Sequence, residues 1–343
     1  MIEARKAEDF GKPRAAALMQ ALARVLPHTG AVYAVIEHWP GDLASDGVIF
    51  RLNAGLHALA LSGQGGALGR LYGAGDLPAP AQLDDALAYM LDSHASDLLG
   101  WLAHPTQTNE VARVAGLVAA LLELGRNRSL PCEVLELGAS AGLNLNFPHY
   151  AVRLGGCNVC APSSAVTLTP GWRGKDVPGG PLVITQARGV DLHPLDVSDD
   201  AHRHNLKAYV WPGEAARAAR LDAAIGIALR HPPKVATGLA SEWLARQLAV
   251  PQAAGVRRVV FHSMVLQYAD AAERAAIDAA FADAGRRDDP DRPLARVSIE
   301  WRPDRKAVEL RIAQWDGGAQ QGEARLAAIC HPYGEWIEWR GLT

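Results

Sequence analysis

The run Val134-Leu135-Glu136-Leu137-Gly138-Ala139-Ser140-Ala141-Gly142-Leu143-Asn144 concentrates more chemistry-capable features than any other stretch of the sequence. An apolar strand-like segment ends in two glycines that flank three small residues, and a helical pattern follows. Small residues let the backbone approach a ligand closely, and the exposed N–H groups of a helix start suit an anionic or polar group. A tight strand-to-helix turn with no ligand would use the same residues.

Three functional templates compete for this run. The dinucleotide fingerprint G-x-G-x-x-G fails, because Gly138 and Gly142 are four apart, with Ser140 where the middle glycine would stand. The phosphate-binding P-loop fails too, since no Lys-Ser or Lys-Thr closes the run. Gly138-Ala139-Ser140-Ala141-Gly142 does satisfy G-x-S-x-G, the nucleophile elbow of α/β-hydrolases, with Ser140 as the nucleophile. Asp316 and His331 follow in the order a triad needs, but among 37 acids and 12 histidines such a pair carries little weight. The elbow would also follow the first strand of the sheet, after a helical region instead of further strands. Gly63-Gln64-Gly65-Gly66 imitates an oxyanion loop, yet it sits in that helical region.

Two patterns divide the elements that must position this run. Residues 1–130 show helical spacing of apolar positions in 14–26, 51–61, 81–103 and 109–126, and a helix is expected from 106 to 126. From Pro131 onward, short β-type runs alternate with helical ones: 133–137, 183–191, 234–237 and 257–263 as strands, with helices over 142–150, 199–230, 241–249 and 270–285. Alternation of this kind predicts a parallel sheet with crossover helices. Three further strand-like runs, 295–301, 308–315 and 326–330, have short links and predict an antiparallel edge. The segment 155–182, rich in Gly, Pro, Ser and Thr, reads as a long inserted loop.

Composition narrows the partners. The 343 residues are 49% hydrophobic and carry 34 Lys plus Arg against 37 Asp plus Glu, a net charge of −3, so no large cationic excess exists to neutralise a phosphate backbone. No signal-type or membrane-spanning apolar run occurs. Four cysteines are too few for a disulfide-built scaffold. The expectation is a cytoplasmic protein without nucleic-acid or membrane partners, acting on a small molecule.

Glu136 to Gly142 resembles the first motif of class I S-adenosylmethionine methyltransferases, E-x-G-x-G-x-G, with Ser140 at the middle glycine. Gly189-Val190-Asp191-Leu192-His193-Pro194 resembles the end of their second strand, where an acid binds the ribose hydroxyls; a carboxylate accepts from two vicinal hydroxyls at once. Asp191 lies 55 positions after Glu136, and the 155–182 insertion accounts for that distance. Across the full chain, Gln107-Thr108-Asn109-Glu110, Glu136 to Leu145, Gly189 to Val197, Tyr209-Val210-Trp211-Pro212 and Phe261-His262-Ser263 resemble the bacterial family called domain of unknown function 2332.

These resemblances imply an α/β fold with a Rossmann-like, methyltransferase-type sheet over 131–343, preceded by an α-helical domain over 1–130 that serves as a lid or acceptor wall. They imply S-adenosylmethionine as cofactor, held by Glu136, Gly138, Ala139, Ser140, Ala141, Gly142, Asn144, Asp191, Leu192 and Leu239. Leu239 stands where these enzymes often carry an acid that contacts the adenine amine, a departure that keeps a non-catalytic nucleoside- or protein-binding role open. A serine hydrolase is the third reading. Methyl transfer needs mostly positioning, with a base required only if the acceptor must lose a proton. His262, at the end of the fourth strand, is the candidate base, with a buried backbone-satisfied histidine as the alternative. Gln107, Asn109 and Glu110 are candidates to hold the acceptor, with helix capping as the alternative. Cys157-Asn158-Val159-Cys160 has zinc-knuckle spacing that Cys132, Cys330 or a His would have to complete, which is a weak signal for a metal.

Overall fold

The computed structural model describes residues 2–28, 30–176, 179–287, 289–318 and 321–342. The chain forms two compact units, one of Met1–Thr108 with Ser198–Ala219, the other of Asn109–Val197 with Arg220–Thr343. The sequence pattern alone draws a single boundary at 130. Packing instead assigns 109–130 to the sheet and 198–219 to the helices.

Among the described residues, the first unit begins with seven α-helices: α1 (Ile2–Asp9), α2 (Pro13–Val25), α3 (Ala31–Glu37), α4 (Val48–Leu61), α5 (Gly66–Gly73), α6 (Pro80–Ser93) and α7 (Ala95–Ala103). The single helical pattern over 81–103 is thus broken at His94. α4 is the centre of this unit, because Leu52, Ala54 and Leu56 are fully buried and its neighbours come from distant sequence. Ala208 and Tyr209 pack against Ala54 and Ala58, with Trp101 meeting the Tyr209 ring edge-on at 5.8 Å. Trp211 meets Phe50 in the same way at 5.7 Å. These aromatic contacts are what hold 198–219 to the helices.

The second unit opens with helix α8 (Val114–Leu124), preceded by one 3₁₀ turn, Val111–Arg113. The helix expected from 106 starts here instead, because Glu110 adopts an extended conformation (φ −78°, ψ 101°) and caps the turn by accepting from the Ala112 N–H. All eleven residues of α8 are buried, as a helix apolar on every side must be. Then follow β1 (Cys132–Leu137), β2 (Ala151–Leu154), β3 (Cys157–Cys160), β4 (Thr167–Leu168), β5 (Gly171–Gly174) and β6 (Ile184–Asp191). The remaining elements are α9 (Asp200–Ala208, in the first unit), α10 (Ala215–Arg230), β7 (Val235–Thr237), α11 (Ala240–Ala249), β8 (Arg257–Ser263), α12 (Ala271–Gly285), β9 (Leu294–Trp301), β10 (Val308–Trp315), β11 (Arg325–Cys330) and β12 (Trp336–Trp339).

The result is a mixed α/β fold with a nine-stranded, mostly parallel sheet in the order β5-β12-β11-β10-β9-β8-β1-β6-β7. Strands β7, β6, β1, β8 and β9 run parallel, while β9, β10, β11 and β12 form an antiparallel run. β1 is buried along its whole length. On one face α11 and α12 cover it, placing Trp243, Leu244, Ile277 and Phe281 over Leu135, Leu137 and Val260. On the other face α8 packs closely enough that a Cβ on Gly116 would lie 2.7 Å from Ile299 Cδ1.

Three further elements differ from expectation. The helix expected over 142–150 is a 3₁₀ segment, Leu143–His149, because Pro148 lacks the N–H that an α-helix needs. The single helix expected over 199–230 is two, separated at Trp211-Pro212-Gly213. The 155–182 segment is no plain loop: β3 and β4 pair with β2 in a small second sheet, and β5 joins β12 at the far margin of the large one. Among the described residues, no helix is long and apolar enough to cross a membrane.

Candidate functional site

In an open parallel sheet, ligands bind beyond the carboxyl ends of the strands, where the strand order reverses. Here the chain goes from β1 outward to β6 and β7 on one side, and to β8 and β9 on the other. The reversal therefore falls between β1 and β8, and the Gly138–Gly142 turn leaves β1 at that point.

The turn has three residues in the left-handed region: Gly138 (φ 68°), Ser140 (φ 53°) and Gly142 (φ 70°). Two of the three need to be glycine for space as well. A Cβ on Gly138 would lie 2.4 Å from Val265 Cγ2, and one on Gly142 would lie 2.7 Å from Pro233 Cβ. Gly138→Ala is expected to lose about 2 to 4 kcal/mol of stability through combined backbone strain and overpacking. Gly156→Ala, at a position with open space and ordinary φ, is expected to stay within about 0.5 kcal/mol of wild type. Urea unfolding midpoints of the two variants measure the difference. Ser140 carries the same backbone strain without being glycine, and its N–H donates to Asp191 Oδ2 at 2.8 Å, which offsets part of the cost.

Asp191 ends β6 directly beside this turn. Its second oxygen accepts from the His193 N–H at 2.9 Å, its carbonyl accepts from the Gly238 N–H at 3.0 Å, and Leu195 N–H reaches the Ser140 carbonyl at 3.3 Å. The ends of β1, β6 and β7 are thereby tied around one carboxylate. Two large apolar side chains stay exposed next to it, Leu192 at 50% and Leu239 at 45%. Ala139 and Ala141 are buried and serve to let the turn lie close to its neighbours.

Beneath the turn, Glu136 is 2% exposed. Its Oε1 accepts from Asn144 Nδ2 at 2.9 Å, while Glu136 Oε2 and Asn144 Oδ1 are buried with no hydrogen-bond partner. Burial pushes the Glu136 carboxyl up to about 8, with the Asn144 contact opposing this and the nearby Asp191 charge adding to it. The start of the 3₁₀ segment is fixed on both sides. Asn109 Oδ1 accepts from the Leu143 N–H at 3.0 Å, and Tyr150 Oη donates to the Leu143 carbonyl at 2.6 Å.

The structure places the other sequence candidates as follows. Asn109 touches the turn, whereas Glu110 is an N-cap and an ion-pair partner of Arg220 at 3.1 Å. Gln107 belongs to the first compact unit. His262 is fully buried, with Nδ1 at 2.7 Å from Glu300 Oε1 and Nε2 accepting from Arg296 Nε at 3.1 Å. Because Arg296 donates to Nε2, the proton sits on Nδ1 facing Glu300, and burial holds the pKa below the usual histidine range against the opposing pull of Glu300. Both ring nitrogens are engaged. Glu300 Oε1 also accepts from the Val265 N–H, so this cluster holds the loop that covers Gly138.

Sequence reasoning missed Tyr150, Val265, Arg296 and Glu300. Charged residues inside the apolar run 294–301 were the available signal for the last two, since a strand flanked on both faces rarely carries them without a buried partner. The hydrolase partners are dispersed. Asp316 follows β10 at the amino-terminal edge of the parallel strands, and His331 follows β11, four strands from β1. All four cysteines are free, and among the described residues no group of three or more His, Cys, Asp or Glu is arranged to hold a metal.

A family model described as "Uncharacterized protein conserved in bacteria (DUF2332)" matches residues 2–339. The chain belongs to this DUF2332 family. No curated protein and no solved structure matches it. In this DUF2332 chain the Gly-rich turn, Asp191 and the exposed Leu192 and Leu239 come together at one edge of the sheet.

Proposed function

We propose that this DUF2332 protein binds S-adenosylmethionine at the carboxyl edge of β1, β6 and β7 and transfers its methyl group to a small-molecule acceptor. The observation that carries this reading is Asp191, a carboxylate held by two backbone amides at the end of the second parallel strand, beside a Gly-rich turn and two exposed leucines. A carboxylate in that place suits a vicinal diol, and exposed leucines suit the faces of a flat base.

The surrounding residues fit such a cofactor. Glu136 Oε2 and Asn144 Oδ1 are buried polar atoms without a partner, and such atoms favour a ligand that brings hydrogen-bonding groups. In this reading Asp191 holds the ribose, Gly138 to Gly142 let the backbone approach, and Glu136 with Asn144 face the amino-acid part. The bound cofactor would supply an already activated methyl group, so the protein has mainly to position the acceptor and exclude water. Asn109, Glu110 and His262 enter as positioning residues, because their polar atoms are already engaged. A second reading, nucleoside binding without turnover, is favoured by Leu239, which offers no acceptor to a base amine.

Titration calorimetry with S-adenosylhomocysteine tests the proposal. Micromolar binding is expected for wild type, weakened about 100-fold or more in Asp191→Ala by the loss of two charge-assisted hydrogen bonds. Circular dichroism of the variant establishes that it is folded. Folded wild-type protein that does not bind overturns the reading, and binding without methyl transfer across a broad metabolite set favours the second one.

A further inference from the structure

The opposite, amino-terminal edge of the sheet holds a cavity of about 470 Å³ whose lining includes Arg126, Arg128, Arg257, Arg325 and the carboxylates Glu123 and Asp316. β1 is six residues long, so this cavity lies roughly 20 Å from the Gly138 turn and is independent of the function proposed there.

Three of the four guanidinium groups have evident partners. Arg126 donates to both oxygens of Glu123, at 3.0 and 2.8 Å. Arg128 pairs with Asp291 at 2.9 Å, and Arg325 donates to the Leu342 carbonyl at 3.0 Å. Arg257 differs. It is 5% exposed, has no carboxylate within ion-pair distance among the described residues, and is met only by the Cys132 thiol and, through Nη2, by the Arg128 carbonyl at 3.4 Å. Its Nη1 is buried without any hydrogen-bond partner. Burial pulls its pKa below the usual arginine value, with the charge and hydrogen bonding of Cys132 and the charge of Asp316 opposing this. A buried guanidinium left in this condition destabilises the folded state, and a hydrophobic residue of similar volume is often more stable. The cost is explained if another molecule provides the missing acceptors.

We propose that this cavity binds a small anionic metabolite through a phosphate or carboxylate group seated on Arg257, with Arg128 and Arg325 as the neighbouring cations. Both headgroups match the guanidinium fork, which donates two parallel hydrogen bonds. Asn127 and Gln314, also in the lining, supply donors and acceptors for the rest of the ligand.

Pyrophosphate and citrate are the probes, each followed by calorimetry and thermal unfolding against sodium chloride of equal ionic strength, on the full chain. Wild type is expected to be stabilised by at least one of them, and the stronger one names the headgroup. Arg257→Met is expected to unfold at the same temperature or higher without anion, and to lose at least 30-fold in affinity for it. No stabilisation by either probe overturns the proposal, as does a stabilisation that Arg257→Met retains. Should that variant fail to fold, Arg128→Gln on the exposed rim decides: about tenfold weaker binding supports the site, and unchanged binding refutes it.

Discussion

Glu136→Gln is expected to raise the unfolding midpoint well above wild type at pH 8.5 and to leave it close to wild type at pH 5. Glu136 lies in the fully buried strand β1, and burial pushes its carboxyl from an ordinary value near 4.5 up to about 8. In the folded chain it therefore keeps its proton at neutral pH, whereas the unfolded chain ionises. A folded pKa above the unfolded one means that the stabilising contribution is complete below about pH 4.5 and is lost as pH rises towards 8. Across that window the loss is on the order of 5 kcal/mol, taken as an upper bound. Glutamine keeps the acceptor that Asn144 Nδ2 uses and carries no proton to lose, so the pH dependence contributed by this position should vanish. Urea titrations of both proteins at pH 5, 7 and 8.5 provide the test. Equal slopes with pH in the two proteins would show that Glu136 is ionised in the folded chain.

Arg258→Ala is expected to destabilise the protein by about 3 to 5 kcal/mol, the usual consequence of removing one partner from a buried ionic network. Arg258 Nε lies 2.7 Å from Glu133 Oε2, and its Nη1 donates to the carbonyls of Gln247 and Val250 at 3.0 Å each. One buried side chain thus ties β1 and β8 to the end of α11. Glu133 keeps a second partner, with Arg188 Nη2 at 2.6 Å from Oε1, so its charge would be undercompensated in the variant and not abandoned. Burial raises the Glu133 pKa, but the hydrogen bonds and charges of Arg258 and Arg188 outweigh it and hold the group below its ordinary value. The contribution of the network is accordingly present above about pH 4.5 and falls away as pH drops through the lower folded pKa. In Arg258→Ala that loss should begin at higher pH. Chemical unfolding at pH 7 and pH 4 measures both effects, and a double-mutant cycle with Glu133→Gln isolates the pair.

What the sequence determined by itself is the set of local alternatives that leave the chain little choice. Glu133 to Leu137, Arg257 to Ser263 and Val308 to Trp315 are short apolar runs bounded by turn residues, and each forms a strand within a residue of its expected ends. Gly138 to Gly142 was legible as a tight turn leaving the first strand because two glycines flank three small residues, and its position at the sheet's carboxyl edge followed from the order of strands and helices. Asp191 was legible through its place at the end of the second strand.

Only tertiary structure decided the rest. Residues 199–230 read as a single helix, yet 198–219 join the helical unit because Tyr209 and Trp211 find aromatic partners in α7 and α4, contacts between residues more than a hundred positions apart. The 155–182 segment read as a loop because Gly, Pro and Ser dominate it, but its short strands form where β2 and β12 present unpaired edges. His262 read as a candidate base or as a buried, satisfied histidine, and its surroundings were not legible. Arg296 and Glu300 reach it from the adjacent strand β9, 34 and 38 positions away, and engage both ring nitrogens. Arg257 carried no signal at all, since an arginine at the start of a strand is ordinary until its burial and missing partners are seen. Periodicity reports which face of an element is apolar; what lies across from that face is fixed by long-range packing, and the character of a titratable group depends on precisely those neighbours.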